Sequence, residues 1–345
     1  MKNPKENCQG YSLDGIRIFP DRTEILNQLR LPFIEEWLVT SNYREVTKAI
    51  KDMVIRGAPI IGAAGAIAMY LAVLEGVGKQ NILYYLRNAY LEIVGARPTA
   101  RELAFRTDEV YKVAEQNIIY GNNSFPVEET YKVVLKIFRE SIESTEHIIN
   151  EGISLFTKKS NILTHCNTGS LAVLGRGTAL GIIKEAFKRG LVNMVYTGET
   201  RPFLQGSRLT SYELKNEGIP HKIIIDSSAP YLMSKGLVDM VIIGADRISS
   251  NFDVANKIGS YSLALAAHHH KIPFYVAAPM VTIDHRLKSG EEIMVEERSE
   301  NEVLFLNEKR IAPEGVSALN YSFDITPSTL VTAIITEKGI IYPEK

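Results

Sequence analysis

The second half of the chain alternates short β-branched runs with segments of helical periodicity, and this alternation constrains the fold more than any other feature. Six such runs follow one another from residue 161 onward: NILTHC, NMVYTG, KIIIDS, VDMVIIGAD, PFYVAAP and LVTAIITEKGIIY. Strands that alternate with helices are typical of βαβ units, whose parallel strands form one sheet covered by helices on both faces. The sequence therefore predicts an α/β domain with a Rossmann-like, mostly parallel sheet.

The first third of the chain has a different pattern. A short β-rich opening is followed, after about residue 33, by segments with apolar residues at helical spacing, among them REVTKAIKDMVI and ELAFRTDEVYKVAEQNIIY. A chain of 345 residues also exceeds the size at which one hydrophobic core usually keeps growing. We therefore predict a smaller, mainly helical N-terminal domain with a few strands over residues 1–125, a connecting helix over 126–150 and a Rossmann-like catalytic domain over 151–345.

One apolar run, over residues 58–74, approaches the length of a membrane span and carries no charge. It is rich in alanine and glycine, and Pro59 stands where a helix would begin, so we predict a helix buried on most of its sides. The N-terminus is too polar for a signal peptide, and the two cysteines, Cys8 and Cys166, do not form the disulfide framework of a secreted domain. These features predict a cytoplasmic protein.

The charges are nearly balanced, with 39 basic and 40 acidic residues and a net charge of −1. Such a chain has no global field that would hold nucleic acid or an anionic membrane, so any anion is expected to bind at a local site. No Cys/His spacing resembles a zinc site. The triple histidine His268–His270 falls at a predicted helix end, where cations are favourable without a metal; metal binding is the alternative interpretation.

Cys166 and Asp246 each follow a predicted strand, and ligands of open α/β sheets bind outside the carboxyl ends of the strands. Cys166 precedes a glycine-containing turn that leads into a helical stretch, and a helix N-terminus favours a thiolate; the alternative is an inert, buried cysteine. Asp246 ends a largely apolar run, and desolvation there would raise its pKa and make it a general acid. Its alternatives are a helix cap or a partner of Arg247.

Three further segments combine cationic or amide side chains with turns or helix starts, which suits anion binding. They are Arg56–Pro59, Thr200–Arg208 and Asn256–Gly259. Each segment alone is a weak signal, since single arginines and lysines are usually solvated surface residues. We expect all three segments to converge on one edge of the sheet, and this convergence is the argument for an anion site. The segment Asn256–Gly259 follows the Asp246 strand and is predicted to open another helix, so Lys257 would point at the same crevice.

Six ordered motifs resemble the signature segments of the methylthioribose-1-phosphate isomerase family: RGAPIIG, ARPTA, THCNTGSLA, GETRPFLQGSRLT, GADRI and ANKIGSYSLA. That family shares a superfamily with ribose-1,5-bisphosphate isomerases and with regulatory subunits of the translation-initiation guanine-nucleotide exchange factor. The match extends over nearly the whole chain from about residue 30. Because the motifs occur in order, chance agreement is implausible.

The resemblance implies a homodimer that isomerises 5-methylthioribose 1-phosphate to 5-methylthioribulose 1-phosphate in methionine salvage, without a metal or nucleotide cofactor. It implies that Asp246 is the proton donor and Cys166 the active-site thiol, acting as a base or as a stabiliser of charge. It also implies seven substrate contacts: Arg56, Gly57, Ala58, Arg97, Gln205, Asn256 and Lys257.

Two residues depart from the family pattern. Phe252 occupies a turn position that would prefer glycine, and Arg176 replaces a tyrosine that many relatives carry, which would favour a substrate with a second anionic group. The alternative substrates are ribose 1,5-bisphosphate, which has such a second anionic group, and 5-deoxyribose 1-phosphate. A further alternative is a regulatory subunit of the exchange-factor type, which needs no turnover.

Overall fold

A computed structural model describes residues 10–98, 100–120, 125–306 and 308–344. Cys8, Thr99 of the ARPTA motif and most of the break at 120–126 lie outside these described residues. The contacts divide the chain into two compact units. Unit 1 contains the residues up to Glu143 together with Ser170–Gly177, and unit 2 contains Ser144–Gly169 together with the residues from Thr178 onward.

Unit 1 begins with a four-stranded antiparallel sheet in chain order: β1 (Tyr11–Ser12), β2 (Ile16–Ile18), β3 (Thr23–Leu26) and β4 (Trp37–Thr40). The helices that follow it among the described residues are α1 (Tyr43–Lys51), α2 (Ala58–Glu75), α3 (Ile82–Gly95), α4 (Arg101–Tyr120) and α5 (Val127–Ile153). The two units divide within α5. Strand β4 lies in a stretch for which the periodicity predicted helix. Its pairing with β3 is a tertiary contact that local spacing does not record, and it overrides the weak helical pattern.

Helix α2 is the apolar run singled out above. By length and composition it could cross a membrane, yet every residue from Ile60 to Val73 is buried within unit 1. Its small residues allow α4 to approach closely, because a Cβ added at Gly65 would lie 2.5 Å from the side chains of both Leu103 and Thr107. The prediction of a helix buried on most of its sides is confirmed.

Unit 2 holds a seven-stranded sheet in the order β17-β16-β11-β8-β5-β6-β7, in which every neighbouring pair is parallel except β16 with β17. The strands of unit 2 are β5 (Ser160–Thr164), β6 (Val192–Gly198), β7 (His221–Ile224), β8 (Met240–Ile243), β9 (Arg247–Ser249), β10 (Val254–Lys257), β11 (Phe274–Ala277), β12 (Ile283–Asp284), β13 (Phe305–Leu306), β14 (Lys309–Arg310), β15 (Phe323–Thr326), β16 (Ala333–Thr336) and β17 (Gly339–Ile341). Its remaining helices are α6 (Ala179–Lys188), α7 (Ser211–Asn216), α8 (Ala229–Ser234), α9 (Ser260–His269) and α10 (Asn301–Leu304).

The central strand β8 is buried along its whole length, as its apolar sequence predicts for a strand covered on both faces. Successive residues face two different clusters. Ile242 belongs to the cluster that contains Leu180 of α6, while Val241 belongs to the cluster that contains Leu263 of α9. The mostly parallel α/β sheet and the smaller, mainly helical N-terminal unit with a few strands confirm the predicted fold class.

A second, four-stranded sheet in the order β12-β9-β10-β15 was not predicted. Strands β9 and β10 form an antiparallel pair directly after β8, and β15 returns from late in the chain to pair with β10. The segment that follows Asp246 after β8 is therefore held in this second sheet, through β9 and β10.

Candidate active site

Cys166 and Asp246 follow neighbouring strands at the carboxyl edge of the seven-stranded sheet of unit 2. Cys166 comes two residues after β5, and Asp246 comes three residues after β8, which pairs with β5 in parallel. Both residues are half-buried. This edge is where open α/β sheets bind ligands.

Hydrogen bonds hold the backbone of Cys166 on both sides. Its N–H donates to Oγ1 of Thr200 at 3.0 Å, and its carbonyl oxygen accepts from Oγ1 of Thr210 at 2.6 Å. Cys166 has φ 59° and Thr200 has φ 65°, both in the left-handed region that residues other than glycine seldom adopt. The peptide that carries the thiol is therefore held in an unusual conformation by two hydroxyl groups.

The helix predicted directly after Cys166 is absent. Gly175 and Gly177 have φ values of 104° and 109°, which no right-handed helix accommodates, and α6 begins only at Ala179. Cys166 thus does not lie at a helix N-terminus, and the predicted stabilisation of its thiolate by a helix dipole is wrong.

Asp246 lies between β8 and β9, and its backbone N–H donates to the carbonyl oxygen of Ala255 on β10 at 2.9 Å. Asn256 and Lys257 come next on β10, so the strand places them beside Asp246. Both residues end a strand, in which Asn256 pairs with Asp324 of β15. The helix predicted to open at the segment Asn256–Gly259 is α9, which starts at Ser260 with Gly259 as its N-cap. The guanidinium of Arg247 binds the buried carboxylate of Asp284.

The side chains of Asn256 and Lys257 have defined neighbours. Nδ2 of the buried Asn256 donates to Oγ of Ser260 at 2.9 Å. Nζ of Lys257 donates to the carbonyl oxygen of Ser322 at 2.9 Å and lies 4.7 Å from the centre of the Phe323 ring. These contacts hold the ammonium group of Lys257 against the start of β15.

His165 joins the end of β5 to the end of β10. The imidazole is 2% exposed, and Nε2 lies 2.9 Å from the carbonyl oxygen of Ile258. A carbonyl only accepts, so Nε2 carries the proton; burial lowers the pKa of the imidazole and favours this neutral form. The contact fixes the loop of Cys166 against the segment that follows Asn256 and Lys257.

Gln205 is 2% exposed and directly precedes a π-helical turn, Gly206–Thr210, whose last residue binds the Cys166 carbonyl. Its Oε1 atom is buried, and no hydrogen-bond partner for it exists among the described residues. A buried acceptor without a partner costs free energy, which is typical of a position that a ligand completes. The nearby Arg201 and Arg208 were predicted to handle anions. Arg201 donates to the backbone carbonyl oxygens of Pro202 and of Val303 on α10, and Arg208 donates to that of Phe203.

A buried charged network beneath Cys166 was missed by sequence reasoning. Nζ of Lys184 lies 2.8 Å from Oε2 of Glu213, and the two side chains are each 4% exposed. Oε1 of Glu213 accepts from Nδ2 of Asn167 at 2.8 Å, and Nδ2 also approaches Oγ1 of Thr210 at 3.2 Å. A lysine and a glutamate on separate helices leave no local sequence pattern that would have found this pair.

The other four predicted contacts belong to unit 1. Nε of the buried Arg56 donates to Oε1 of Gln28 at 3.2 Å, and Nε2 of Gln28 donates to the carbonyl oxygen of Leu171 at 2.7 Å. Gly57 has φ 110°, and an added Cβ would lie 2.4 Å from the carbonyl oxygen of Ala172, so only glycine fits. Ala58 begins α2, and the half-buried Arg97 follows α3.

Two further predictions concern turns and metals. Phe252 has φ 68°, which confirms that its turn would suit glycine. Helix α9 ends at His269, within the triple histidine, as predicted. Over residues 10–98, 100–120, 125–306 and 308–344, no three side chains of His, Cys, Asp or Glu are grouped to hold a metal ion.

Residues 54–343 match the profile of the Initiation factor 2 subunit family. The chain is 49% identical over 317 residues to a protein of Sulfurihydrogenibium sp. (strain YO3AOP1) named methylthioribose-1-phosphate isomerase, covering 92% of this chain and 90% of the relative. It is 45% identical over 335 residues to a protein of the same name from Caldicellulosiruptor saccharolyticus, covering 94% of each.

Two solved structures are similar over almost the whole chain. The 5-methylthioribose 1-phosphate isomerase from Pyrococcus horikoshii OT3 aligns with a TM-score of 0.89 and 36% identity, over 99% of this chain and 94% of that one. The translation initiation factor eIF-2B, subunit delta, from A. fulgidus aligns with a TM-score of 0.84 and 37% identity, over 96% of each chain.

Proposed function

The chain belongs to the Initiation factor 2 subunit family, and we propose that it is the aldose-ketose isomerase that converts 5-methylthioribose 1-phosphate to 5-methylthioribulose 1-phosphate in methionine salvage. The observation that carries the proposal is identity of 44–49% to curated relatives of that name over more than nine tenths of the chain. The strand-end arrangement of Cys166 and Asp246 supports it, because both residues follow neighbouring parallel strands at the edge where open α/β sheets bind ligands.

The similarity to the A. fulgidus structure favours a second candidate, a regulatory subunit without turnover. Assaying the purified protein against methylthioribose 1-phosphate, ribose 1,5-bisphosphate and 5-deoxyribose 1-phosphate in parallel separates the candidates. We expect the highest kcat/KM with the methylthio sugar. Turnover only of the bisphosphate or the deoxy sugar would reassign the substrate, and no turnover of any of the three would favour the regulatory role.

The chemistry begins at the ring oxygen. The anomeric oxygen of an aldose 1-phosphate is esterified, so the ring cannot open through a free hemiacetal. A protonated Asp246 would donate its proton to the ring oxygen while the bond between the ring oxygen and C1 breaks. Positive charge is then shared between C1 and the phosphate-bearing oxygen. A hydrogen then moves from C2 to C1, and the hydroxyl at C2 loses its proton to give the ketone.

Cys166 has two possible roles in the transfer from C2 to C1. As a base, its thiolate would remove the proton from C2 to form an enol, and C1 would then be protonated. In a hydride route the hydrogen moves directly, and Cys166 assists the loss of the hydroxyl proton at C2. A reaction run in D2O distinguishes them, because the proton route with exchange places solvent deuterium at C1 and the hydride route retains the hydrogen of C2.

Seven residues are proposed substrate contacts: Arg56, Gly57, Ala58, Arg97, Gln205, Asn256 and Lys257. Support comes from the unpaired buried Oε1 of Gln205 and the ammonium of Lys257 next to Asn256. In unit 1, Arg56 is adjacent in sequence to the N-terminus of α2, and an arginine beside a helix N-terminus is a combination that suits a phosphate. Their substitution is expected to raise KM for the sugar phosphate.

The catalytic assignment predicts that Cys166→Ser and Asp246→Asn each lower kcat by about 10²- to 10⁴-fold, the usual contribution of a positioned acid or base. Asp239→Asn is a matched control, because Asp239 precedes the opposite end of the same strand, β8, and binds Lys158 there. Its turnover should stay within about threefold of the native value if only the carboxyl edge matters. Near-native kcat in either test variant, with the fold retained, would refute the assigned roles.

The remaining expectations, a homodimer located in the cytoplasm, stay predictions. Light scattering of the purified protein measures the oligomeric state. A monomer that turns over the methylthio sugar at full rate would contradict the first of them.

A further inference from the structure

We infer that Thr200 and Thr210 are positioning residues, which hold the Cys166 peptide so that its thiol has one fixed direction at the sheet edge. The inference rests on the proposed function for its kinetic consequences. It rests on the geometry alone for its effect on the thiol. Thr200, Thr210 and Asp226, which supports Thr200, are called the Cys166 clamp below.

The clamp contacts both polar atoms of one peptide residue. Thr200 accepts from the N–H of Cys166, and Thr210 donates to its carbonyl oxygen. The two threonines are 0% and 1% exposed, so water does not compete for these bonds. The backbone on either side of the thiol is therefore restrained against rotation.

Each hydroxyl is also fixed by its second hydrogen bond. Oγ1 of Thr200 donates to the carbonyl oxygen of Gly198 at 3.0 Å, which leaves its lone pairs for the Cys166 N–H. Oγ1 of Thr210 spends its only proton on the Cys166 carbonyl and accepts from Nδ2 of Asn167. A hydroxyl group has one proton to donate, so these partners determine the direction of the O–H bond in both threonines.

The conformation that the clamp enforces is a strained one. Cys166 and Thr200 both have positive φ, which is a genuine outlier for a β-branched residue such as threonine. Glycine would relieve the strain at either position. Such conformations persist only where the surroundings impose them, and they occur mainly at functional sites.

Asp226 supports the clamp from behind. Its Oδ1 accepts from the N–H of Thr200 and its Oδ2 from the N–H of Arg201, both at 2.8 Å. On the other side, Asn167 is bound by the buried Glu213. Both threonines thus stand on groups that are themselves fixed, as positioning of a reacting group requires.

Thr200→Val tests the clamp, because valine keeps the shape and the β-branch and removes only the hydroxyl. We expect kcat to fall about 10- to 100-fold, since a displacement of about 1 Å can cost about 10² in rate, while KM changes less than about threefold. Thr200→Ser restores the hydroxyl and should return kcat to within about threefold of native. Thr130→Val, which removes a buried hydroxyl bound to the Pro126 carbonyl in unit 1, should leave both constants unchanged.

Alkylation of Cys166 by iodoacetamide, followed at its own peptide by mass spectrometry, reports on the thiol without any substrate. We expect a rate constant at least about threefold higher in Thr200→Val and Thr210→Val, because a loosened, half-buried thiol becomes more accessible. Thr200→Ser and Thr210→Ser, which keep the hydroxyl, should be alkylated at the native rate. All measurements are made well below each variant's unfolding midpoint. If Thr200→Val does not fold, Thr210→Val carries the test from the other side of the peptide.

The inference is overturned if both valine variants keep native kcat and alkylation rates, or if the serine variants are as impaired as the valine variants. If the native protein turns over none of the three sugar phosphates, the proposed function fails, and the alkylation rates still decide whether the clamp holds the thiol.

Discussion

Replacing Lys184 with methionine should destabilise the protein, and the loss should depend on pH. Nζ of Lys184 lies 2.8 Å from the Glu213 carboxylate, and both side chains are 4% exposed. Removing one partner of a buried ion pair typically costs about 3–5 kcal/mol, because the remaining charge is left uncompensated.

Protonation of Glu213 sets an upper limit on this penalty. Neutralising a carboxyl group costs about 1.4 kcal/mol for each pH unit above its ordinary pKa of about 4.3, which gives about 4 kcal/mol at pH 7 and about 1 kcal/mol at pH 5. In the variant, the folded state holds the proton more tightly than the unfolded chain does. The contribution of the Glu213 proton to the stability of the variant is therefore fully present below about pH 4.3 and is lost as the pH rises.

The measurement is urea unfolding of Lys184→Met at pH 5 and pH 7, followed by circular dichroism. Lys188→Met is the matched control, because Lys188 is an exposed lysine on the same helix, and its effect should stay within about 0.5 kcal/mol. The double variant Lys184→Met with Glu213→Gln should recover much of the loss, since it removes the charge and keeps an acceptor for Asn167. A loss below about 1 kcal/mol at pH 7, or an equal loss at both pH values, would refute the reasoning.

Two further predictions concern titrating groups of unit 2. Burial raises the pKa of Asp324 to about 6, so its contribution to stability is fully present below about pH 4 and is lost as the pH rises through 6. Asp324→Asn should abolish this part of the pH dependence of the unfolding midpoint. An unchanged pH profile in the variant would contradict the prediction. His165 should remain neutral with its proton on Nε2 at pH 6, because burial lowers its pKa; ¹⁵N chemical shifts of the ring check this, and a protonated ring at pH 6 would disprove it.

The sequence predicts the seven-stranded sheet well, because strands covered on both faces form continuous apolar runs, of which Met240–Ile243 is the clearest. It does not predict the second sheet. Strands of two to four residues, such as Ile283–Asp284, are too short to show a period, and their pairing joins segments far apart in the chain.

The candidate site was predictable only in part. Cys166 and Asp246 could be found because they interrupt or end apolar runs. The prediction of a helix after Cys166 was wrong because Gly175 and Gly177 have positive φ. Glycine adopts positive and negative φ about equally readily, so the residue type alone does not show which one occurs. Thr200 stood within a recognised motif, yet its bond to the Cys166 N–H joins residues 34 apart and cannot be read from spacing.

The placement of Ser170–Gly177 has a consequence for the order of events during synthesis. Leu174 of this segment belongs to the buried core of unit 1, and Gln28 and Ile60 bind the carbonyl oxygens of its neighbours Leu171 and Ala172. A nascent chain that has emerged only as far as Glu143 lacks these groups, although N-terminal domains usually fold first on the ribosome. Unit 1 must therefore wait for about 30 residues of later sequence before its core is complete, and a fragment ending at Glu143 is a poor choice for expressing it alone.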